Sequence, residues 1–169
     1  MIGIVGMLAI ITTTCYQSPV AAPVVDPFRA PACSYCPGNR GLEYQTPAGT
    51  PVRAAASGVV RFTGVVAGVR YVVVRHDDGL SATYGRLASA VVVVGEPVAA
   101  GRVVGTSTNR FFFGLRAGDR YIDPAPFLGV LRYRPRLVPA DGSAPRRAPP
   151  PAIHCAAAPQ GWVSAGRRR

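Results

Sequence analysis

The stretch TPAGTPVRA, residues 46–54, joins a turn containing Pro and Gly to a short apolar strand candidate. The same unit, a short Val-rich or aromatic run beside a turn signal, recurs along the chain up to residue 119. No long window shows the 3.6-residue apolar period of a helix, so the pattern predicts an all-β protein. The strand candidates are residues 51–54, 58–63, 70–75, 81–84, 91–94, 103–105 and 111–116.

Composition and charge narrow the class of protein further. The 169 residues are 49% apolar and 16% charged, and every basic residue behind the net charge of +11 is an arginine. Residues 24–131 hold 11 Arg and 7 acidic residues, net +4, whereas residues 132–169 hold 8 Arg and 1 acidic residue, net +7. A dedicated nucleic-acid domain would carry its basic stripe on the folded part, so none is expected. Length and pattern also exclude a large multidomain enzyme, a coiled coil and a multi-span membrane protein.

The N-terminal segment favours export. Residues 1–11 form an uninterrupted run of apolar residues and Gly, which has the length of a signal-peptide core and is short for a membrane span. We therefore interpret residues 1–22 as a signal or anchor segment, with a cleavage site near residues 20–22. The protein is expected outside the cytoplasm, in the cell envelope or secreted. Lipidation at Cys15, or a buried first element of a cytosolic protein, are the alternatives.

Segments rich in Pro flank the expected folded domain. Residues 23–36 form a Pro-rich lead-in with a CxxC motif, and residues 132–169 hold 7 of the 17 prolines. The second segment cannot bury much apolar surface, so we expect a disordered basic tail.

The cysteines favour disulfide bonds over a metal site. Cys33 and Cys36 lie in a Pro-rich loop without the strand-to-helix context of a redox motif. In an exported protein they are expected to pair with each other, or one of them with Cys155. A zinc knot that adds His154 and Cys155 to the pair has suitable ligand types, but adjacent ligands in a tail disfavour it.

Further motifs carry a resemblance to a known family. NRGLE, residues 39–43, followed by TPAGTPVRA resembles the His-x-Gly-x-Asp and Pro-x-Gly-Thr-Pro-Val-x-Ala motifs of the lysostaphin/LytM-type zinc endopeptidases of peptidoglycan, metallopeptidase family 23. The likeness runs from about residue 24 to 128 and looks most like the actinobacterial branch. It implies a mostly antiparallel β-sandwich of two packed sheets, of the duplicated-hybrid-motif type, over residues 37–131, with an open groove. The other matching segments are residues 58–60, 72–76, 84–87, 95–101, 104–105, 111–116 and 122–124.

The expected chemistry departs from that family. The resemblance implies zinc held by the His and Asp of the first motif and by the second His of a His-x-His strand, and these positions are Asn39, Glu43 and Phe112. Two other positions where the family has histidines are Arg86 and Arg110. Zinc needs imidazole, thiolate or carboxylate donors, and fixed cations repel it. We therefore expect no zinc, no other cofactor, no catalytic residue and no hydrolase activity.

The replaced positions suggest a different use of the cleft. Arg86 or Arg110 is expected to pair with Glu43 in the metal's place, while Phe112 fills the remaining volume. The alternative is that these side chains point to solvent and share no contact. His76 is expected to be structural or exposed. The predicted groove residues are Asn39, Glu43, Tyr84, Arg86 and Arg110.

These features predict an exported, catalytically inactive domain resembling a peptidoglycan metalloendopeptidase, which acts in cell-wall binding or in regulation of wall hydrolysis. Its expected partners are peptidoglycan or a cell-wall hydrolase, and the basic tail suits an anionic wall polymer or a membrane surface. The alternative is an active zinc endopeptidase with a non-standard ligand set, for example the cysteines. A nucleic-acid-binding β-protein and a decaying gene product without function are remoter alternatives.

Overall fold

A computed structural model describes residues 15–33, 35–132, 140, 143 and 152–155. The apolar run at residues 1–11 and most of the predicted tail lie outside these described residues. Within them the chain forms short and long strands joined by turns, with one short 3-10 helix at Ala125–Phe127. The strands are β1 (Val24–Asp26), β2 (Leu42–Gln45), β3 (Pro51–Arg53), β4 (Gly58–Val66), β5 (Val69–His76), β6 (Ser81–Ala90), β7 (Pro97–Val98), β8 (Val103–Ala117), β9 (Arg120–Ile122), β10 (Val130–Arg132) and β11 (Ala152–His154).

The strands confirm the predicted all-β, mostly antiparallel fold. Nine of them form one sheet in the order β1-β2-β8-β6-β5-β4-β7, with β3 and β9 also paired to β8. The resemblance implied two packed sheets, whereas the structure joins these strands into one hydrogen-bonded sheet. The two parts are connected because β8 is 15 residues long and pairs with β3 along its first residues and with β2 further along. Bulges where β6 pairs with β8 bend this shared part of the sheet.

Part of the predicted disordered tail is ordered. The strand β11 pairs antiparallel with β10, with Leu131 opposite Ile153. A disulfide joins Cys155, which directly follows β11, to Cys15. The sequence pattern did not predict this pairing, because nothing local relates two residues separated by 140 positions. The rest of residues 133–169 lies outside the described part, apart from residues 140 and 143.

The core lies on one face of the sheet and includes the segment before β1. Tyr16 is fully buried and Val20 is 4% exposed. The backbone N–H of Tyr16 donates to the carbonyl of Phe127, and its own carbonyl accepts from Gly129. A cut near residues 20–22, as expected for a signal peptide, would therefore remove two core side chains. No helix in the described ranges has the length and apolar character of a membrane span.

His76 belongs to this core, which confirms a structural role. Its side chain is 3% exposed, its Nδ1 lies 3.0 Å from the carbonyl oxygen of Ser57, and its ring centroid lies 5.0 Å from that of Tyr16. Its Nε2 is buried and has no hydrogen-bond partner among the described residues. Burial lowers the pKa of His76, although the carboxylates of Asp77 and Asp78 oppose the shift.

We expect stability to fall as the pH drops below about 6.5, the ordinary pKa of histidine. The folded chain holds His76 neutral, so protonation between that value and the lowered pKa of the folded state favours unfolding. Above this window the contribution is fully present. Urea unfolding at pH 7.5 and 5.5 measures the difference, and His76→Gln should reduce it. If the free energy of unfolding falls equally between pH 7.5 and 5.5 in His76→Gln and in the unmodified chain, another group is responsible for the pH dependence.

Candidate functional site

Glu43 lies at the centre of a cluster of charged side chains on the face of the sheet opposite the core, which we call the open face. Its Oε1 accepts a hydrogen bond from Arg86 at 2.9 Å, and its Oε2 accepts one from Arg110 at 3.1 Å. The Glu43 side chain is 13% exposed, whereas those of Arg86 and Arg110 are 44% and 47% exposed. The predicted ion pair is confirmed, and both arginines take part in it. The carboxylate is at the base of the cluster with a guanidinium on each oxygen.

Arg86 reaches this face through a break in strand alternation. In a regular strand Tyr84 and Arg86 would point to the same side. The backbone of Arg86 has a φ of 58°, in the left-handed region, and the pairing of β6 with β8 shifts register between Gly85 and Leu87. The irregularity leaves Tyr84 in the core and Arg86 at the surface.

Tyr84 is therefore not a groove residue, and this prediction needs correction. Its side chain is fully buried, and its hydroxyl accepts a hydrogen bond from the backbone N–H of Ala55 at 2.8 Å. Burial raises the pKa of Tyr84 above its ordinary value. The hydroxyl thus stays protonated and fixes the loop after β3 to the core.

A second ion pair, which sequence reasoning missed, extends the cluster. Asp26 on β1 is the register partner of Glu43, and Arg29 donates to both of its carboxylate oxygens. The hydrogen bond from Arg29 lowers the pKa of Asp26, with a further contribution from the charge of Arg110. Three guanidiniums and two carboxylates thus share one area, with a net charge of +1. The Asp-x-x-Arg spacing is the only local signal of the pair.

Asn39 has a structural contact at the edge of this cluster. Its side chain is 6% exposed, and its Nδ2 donates to the carbonyl oxygens of Asp26 at 3.2 Å and Pro27 at 3.0 Å. The backbones of Asn39 and Arg29 also form an isolated bridge. The amide therefore fastens the lead-in segment beside β2.

Phe112 pairs directly with Glu43 across the ladder and lies half-buried beside it. A Cβ atom added to Gly41 would lie 2.7 Å from Cζ of the ring, and one added to Gly114 would lie 3.1 Å from it. These glycines leave the space that the ring occupies. Phe112 thus fills volume next to the charges, as predicted from the sequence.

The residues present do not fit a zinc ion. Both oxygens of Glu43 are bound to arginines, the amide nitrogen of Asn39 donates to backbone, and Phe112 has no lone pair to offer. Among the described residues, no three His, Cys, Asp or Glu side chains are grouped as metal ligands. Arg86 and Arg110, two fixed cations within hydrogen-bond distance of the Glu43 carboxylate, would repel a divalent ion.

The cysteines offer no alternative ligand set. Cys33 is joined to Cys36, and Cys15 is joined to Cys155, so none of the four keeps a thiol. Zinc binding and lipidation through a thioether both require a cysteine with a free thiolate, and these disulfides leave none. Neither the zinc knot nor lipidation at Cys15 is compatible with this pairing.

Known proteins are similar to this chain in sequence and in fold. The model of peptidase family M23 matches residues 37–124, which is just over half of the chain. Rv2891, an uncharacterized protein of Mycobacterium tuberculosis, is 35% identical over 130 residues, which cover 69% of this chain and 51% of Rv2891. The DD-carboxypeptidase/endopeptidase Mpg of Neisseria meningitidis serogroup B is 33% identical over 114 residues, which cover 63% of this chain and 26% of Mpg.

A solved structure supports the same assignment at the level of the fold. Csd3 of Helicobacter pylori superimposes with a TM-score of 0.60 at 24% sequence identity, over 68% of this chain and 33% of Csd3. The chain spans about half the length, or less, of the curated relatives it matches. Since the family model covers more than half of the sequence, the chain belongs to peptidase family M23.

Proposed function

We propose that this chain is an M23 domain that binds peptidoglycan, or a hydrolase that acts on it, without hydrolysing peptide bonds itself. The observation that carries the proposal is the Glu43 carboxylate held between the guanidiniums of Arg86 and Arg110. In the cluster a salt bridge, with one carboxylate held between two guanidiniums, stands at positions where the family has metal ligands. Its chemistry suits recognition of a ligand and not attack on one.

The charged cluster lacks the groups that hydrolysis requires. A guanidinium stays protonated at all working pH values, so neither Arg86 nor Arg110 can take a proton from water. The carboxylates of Asp26 and Glu43 are both bound to arginines. His76 is buried in the core, where its Nδ1 faces the backbone of Ser57. No general base poised near neutral pH therefore lies among these residues.

The same cluster is suited to binding carboxylates of peptidoglycan stem peptides. Arg86 and Arg110 are each nearly half exposed, and each guanidinium has five N–H donors, of which Glu43 takes a fraction. Hydrogen bonds between guanidinium and carboxylate are charge-assisted and directional. A peptide carboxylate can therefore bind above Glu43 without displacing it.

The disulfides support a location outside the cytoplasm. All four cysteines are paired, and disulfides persist in oxidising compartments. The relative named DD-carboxypeptidase/endopeptidase supports a role at the cell wall. The net charge of +7 over residues 132–169 suits an anionic wall polymer or membrane surface as a further partner.

Co-sedimentation with isolated sacculi, combined with turbidity of a sacculus suspension, tests the proposal. We expect the chain to sediment with sacculi and to leave turbidity unchanged, with or without added zinc. Arg86→Gln combined with Arg110→Gln should reduce retention at least tenfold. The matched control is Arg53→Gln on β3, which removes an arginine bound to the carbonyl of Gly101. Clearing of the suspension, or equal retention of the double variant and the control, would refute the proposal.

A further inference from the structure

A row of residues on the open face of the sheet alternates between glycine and aromatic side chains. The ladders pair Gly64 with Tyr71, Tyr71 with Gly85 and Gly85 with Phe112. Phe112 then pairs with Glu43, so the row runs across five adjacent strands and ends at the charged cluster. Residues paired in this way share one face of a sheet.

The aromatic rings lean over the glycines of the row. A Cβ atom on Gly85 would lie 2.7 Å from Cε1 of Tyr71 and 3.2 Å from Cδ1 of Phe112. A Cβ atom on Gly64 would lie 3.0 Å from Cζ of Phe62. Strand side chains ordinarily stand nearly perpendicular to the sheet, so the glycines allow these rings to lie down on it. We call Phe62, Tyr71 and Phe112, the rings that cover these glycines, the aromatic floor.

This aromatic floor remains open to a ligand. Phe62 is 38% exposed, and Tyr71 and Phe112 are half-buried. Contiguous apolar patches on a protein surface mark binding sites, whereas single exposed apolar residues are common on any protein. Arg86 and Arg110 border the floor at its Phe112 end, where they add hydrogen-bond donors.

We infer that the aromatic floor binds a glycan strand, an inference that rests on the proposed wall-binding function. The C–H groups on the face of a pyranose ring are weakly positive and are attracted to the negative face of an aromatic ring. Sugar hydroxyls both donate and accept, and the border of the floor supplies both kinds of partner. Thr83 shares the outward face with Gly85, and its hydroxyl both donates and accepts, while the arginines donate.

The mixed charge of the border favours a sugar over a polyanion. Asp26 and Glu43 offset two of the three guanidiniums, which leaves little net attraction for a phosphate backbone. A nucleic-acid strand would also stack its bases on aromatic rings, but such sites combine stacking with a strongly positive groove. An amino-sugar strand needs stacking and hydrogen bonds without that charge.

Binding of peptide-free glycan strands, prepared by removing the stem peptides from sacculi, tests the inference. We expect the unmodified chain to bind these strands in calorimetry and Tyr71→Ala to weaken binding at least tenfold. Tyr71→Phe should retain most of the affinity, because the ring face remains. Phe62→Ala should also weaken binding, and it replaces a side chain exposed enough to leave folding intact. Val65→Ala, at an exposed apolar position on the same strand, is the matched control.

The outcomes separate this inference from the proposed function. Retention on intact sacculi without binding to peptide-free strands would overturn the glycan site and leave the proposed function standing. Failure to bind sacculi at all would refute binding to peptidoglycan, the part of the proposed function on which this inference rests. Equal binding by Tyr71→Ala and Val65→Ala would also overturn the inference, as would binding of single-stranded DNA as tight as that of the glycan.

Discussion

Glu43→Gln is expected to lower the free energy of unfolding by about 2 kcal/mol, the contribution of hydrogen bonds to a charged group. The carboxylate is 13% exposed and holds two guanidiniums, at 2.9 and 3.1 Å. Glutamine keeps the size of the side chain but loses its charge and one acceptor. Arg86 and Arg110 would then face each other with their charges uncompensated. Urea unfolding at pH 7.5 measures the loss.

Asp119→Asn is the matched control for this prediction. Asp119 also binds an arginine, Arg116, at 3.1 Å, but its side chain is fully exposed. Exposed ion pairs contribute about 0–1 kcal/mol, so this variant should differ little from the unmodified chain. Equal, small losses in both variants would show that Glu43 forms an ordinary surface ion pair and not the centre of a site.

Loss of the Cys15–Cys155 disulfide, by Cys15→Ser with Cys155→Ser, should cost about 4 kcal/mol. The bond closes a loop of 140 residues and therefore removes much conformational freedom from the unfolded chain. It also fastens the residue next to Tyr16, whose ring is fully buried against His76. Thermal unfolding of the purified double variant measures the loss.

Removal of the Cys33–Cys36 disulfide is the comparison. Its cysteines are three residues apart, so the loop it closes is short and the expected loss is less than half as large. A similar loss on removing either bond would contradict the entropic account. It would also mean that the segment around Tyr16 stays docked without its covalent link.

The strands of the central sheet could be predicted because their apolar alternation is local. Candidates at residues 58–63 and 70–75 became the cores of β4 and β5, and those at 103–105 and 111–116 merged into β8. The candidate at residues 91–94 was wrong. The N–H of Val93 donates to the Glu96 carboxylate, and the N–H of Glu96 donates to the Val93 carbonyl, so this Val-rich run leads into a turn and forms no strand. Strand propensity of valine gives way to such local hydrogen bonds.

The centre of the site could be predicted, but its surroundings could not. The motifs place Glu43, Arg86 and Arg110 where the family has its zinc ligand and other histidines. A carboxylate placed among cations is expected to pair with them. Asp26 belongs to the cluster because the register of β1 with β2 places it opposite Glu43. Tyr84 lies outside the cluster because of the irregularity at Arg86. Register and bulges depend on tertiary packing, which the sequence pattern does not contain.

The central claim is that a salt bridge occupies the place where the family's zinc ligands would be. The direct measurement is zinc content by mass spectrometry after incubation with zinc and dialysis. The positive control is one folded variant that restores the family pattern, with substitutions Asn39→His, Glu43→Asp, Arg86→His, Arg110→His and Phe112→His. We predict far less than one zinc per unmodified chain and a large gain in the variant. One tightly held zinc per unmodified chain would contradict the account.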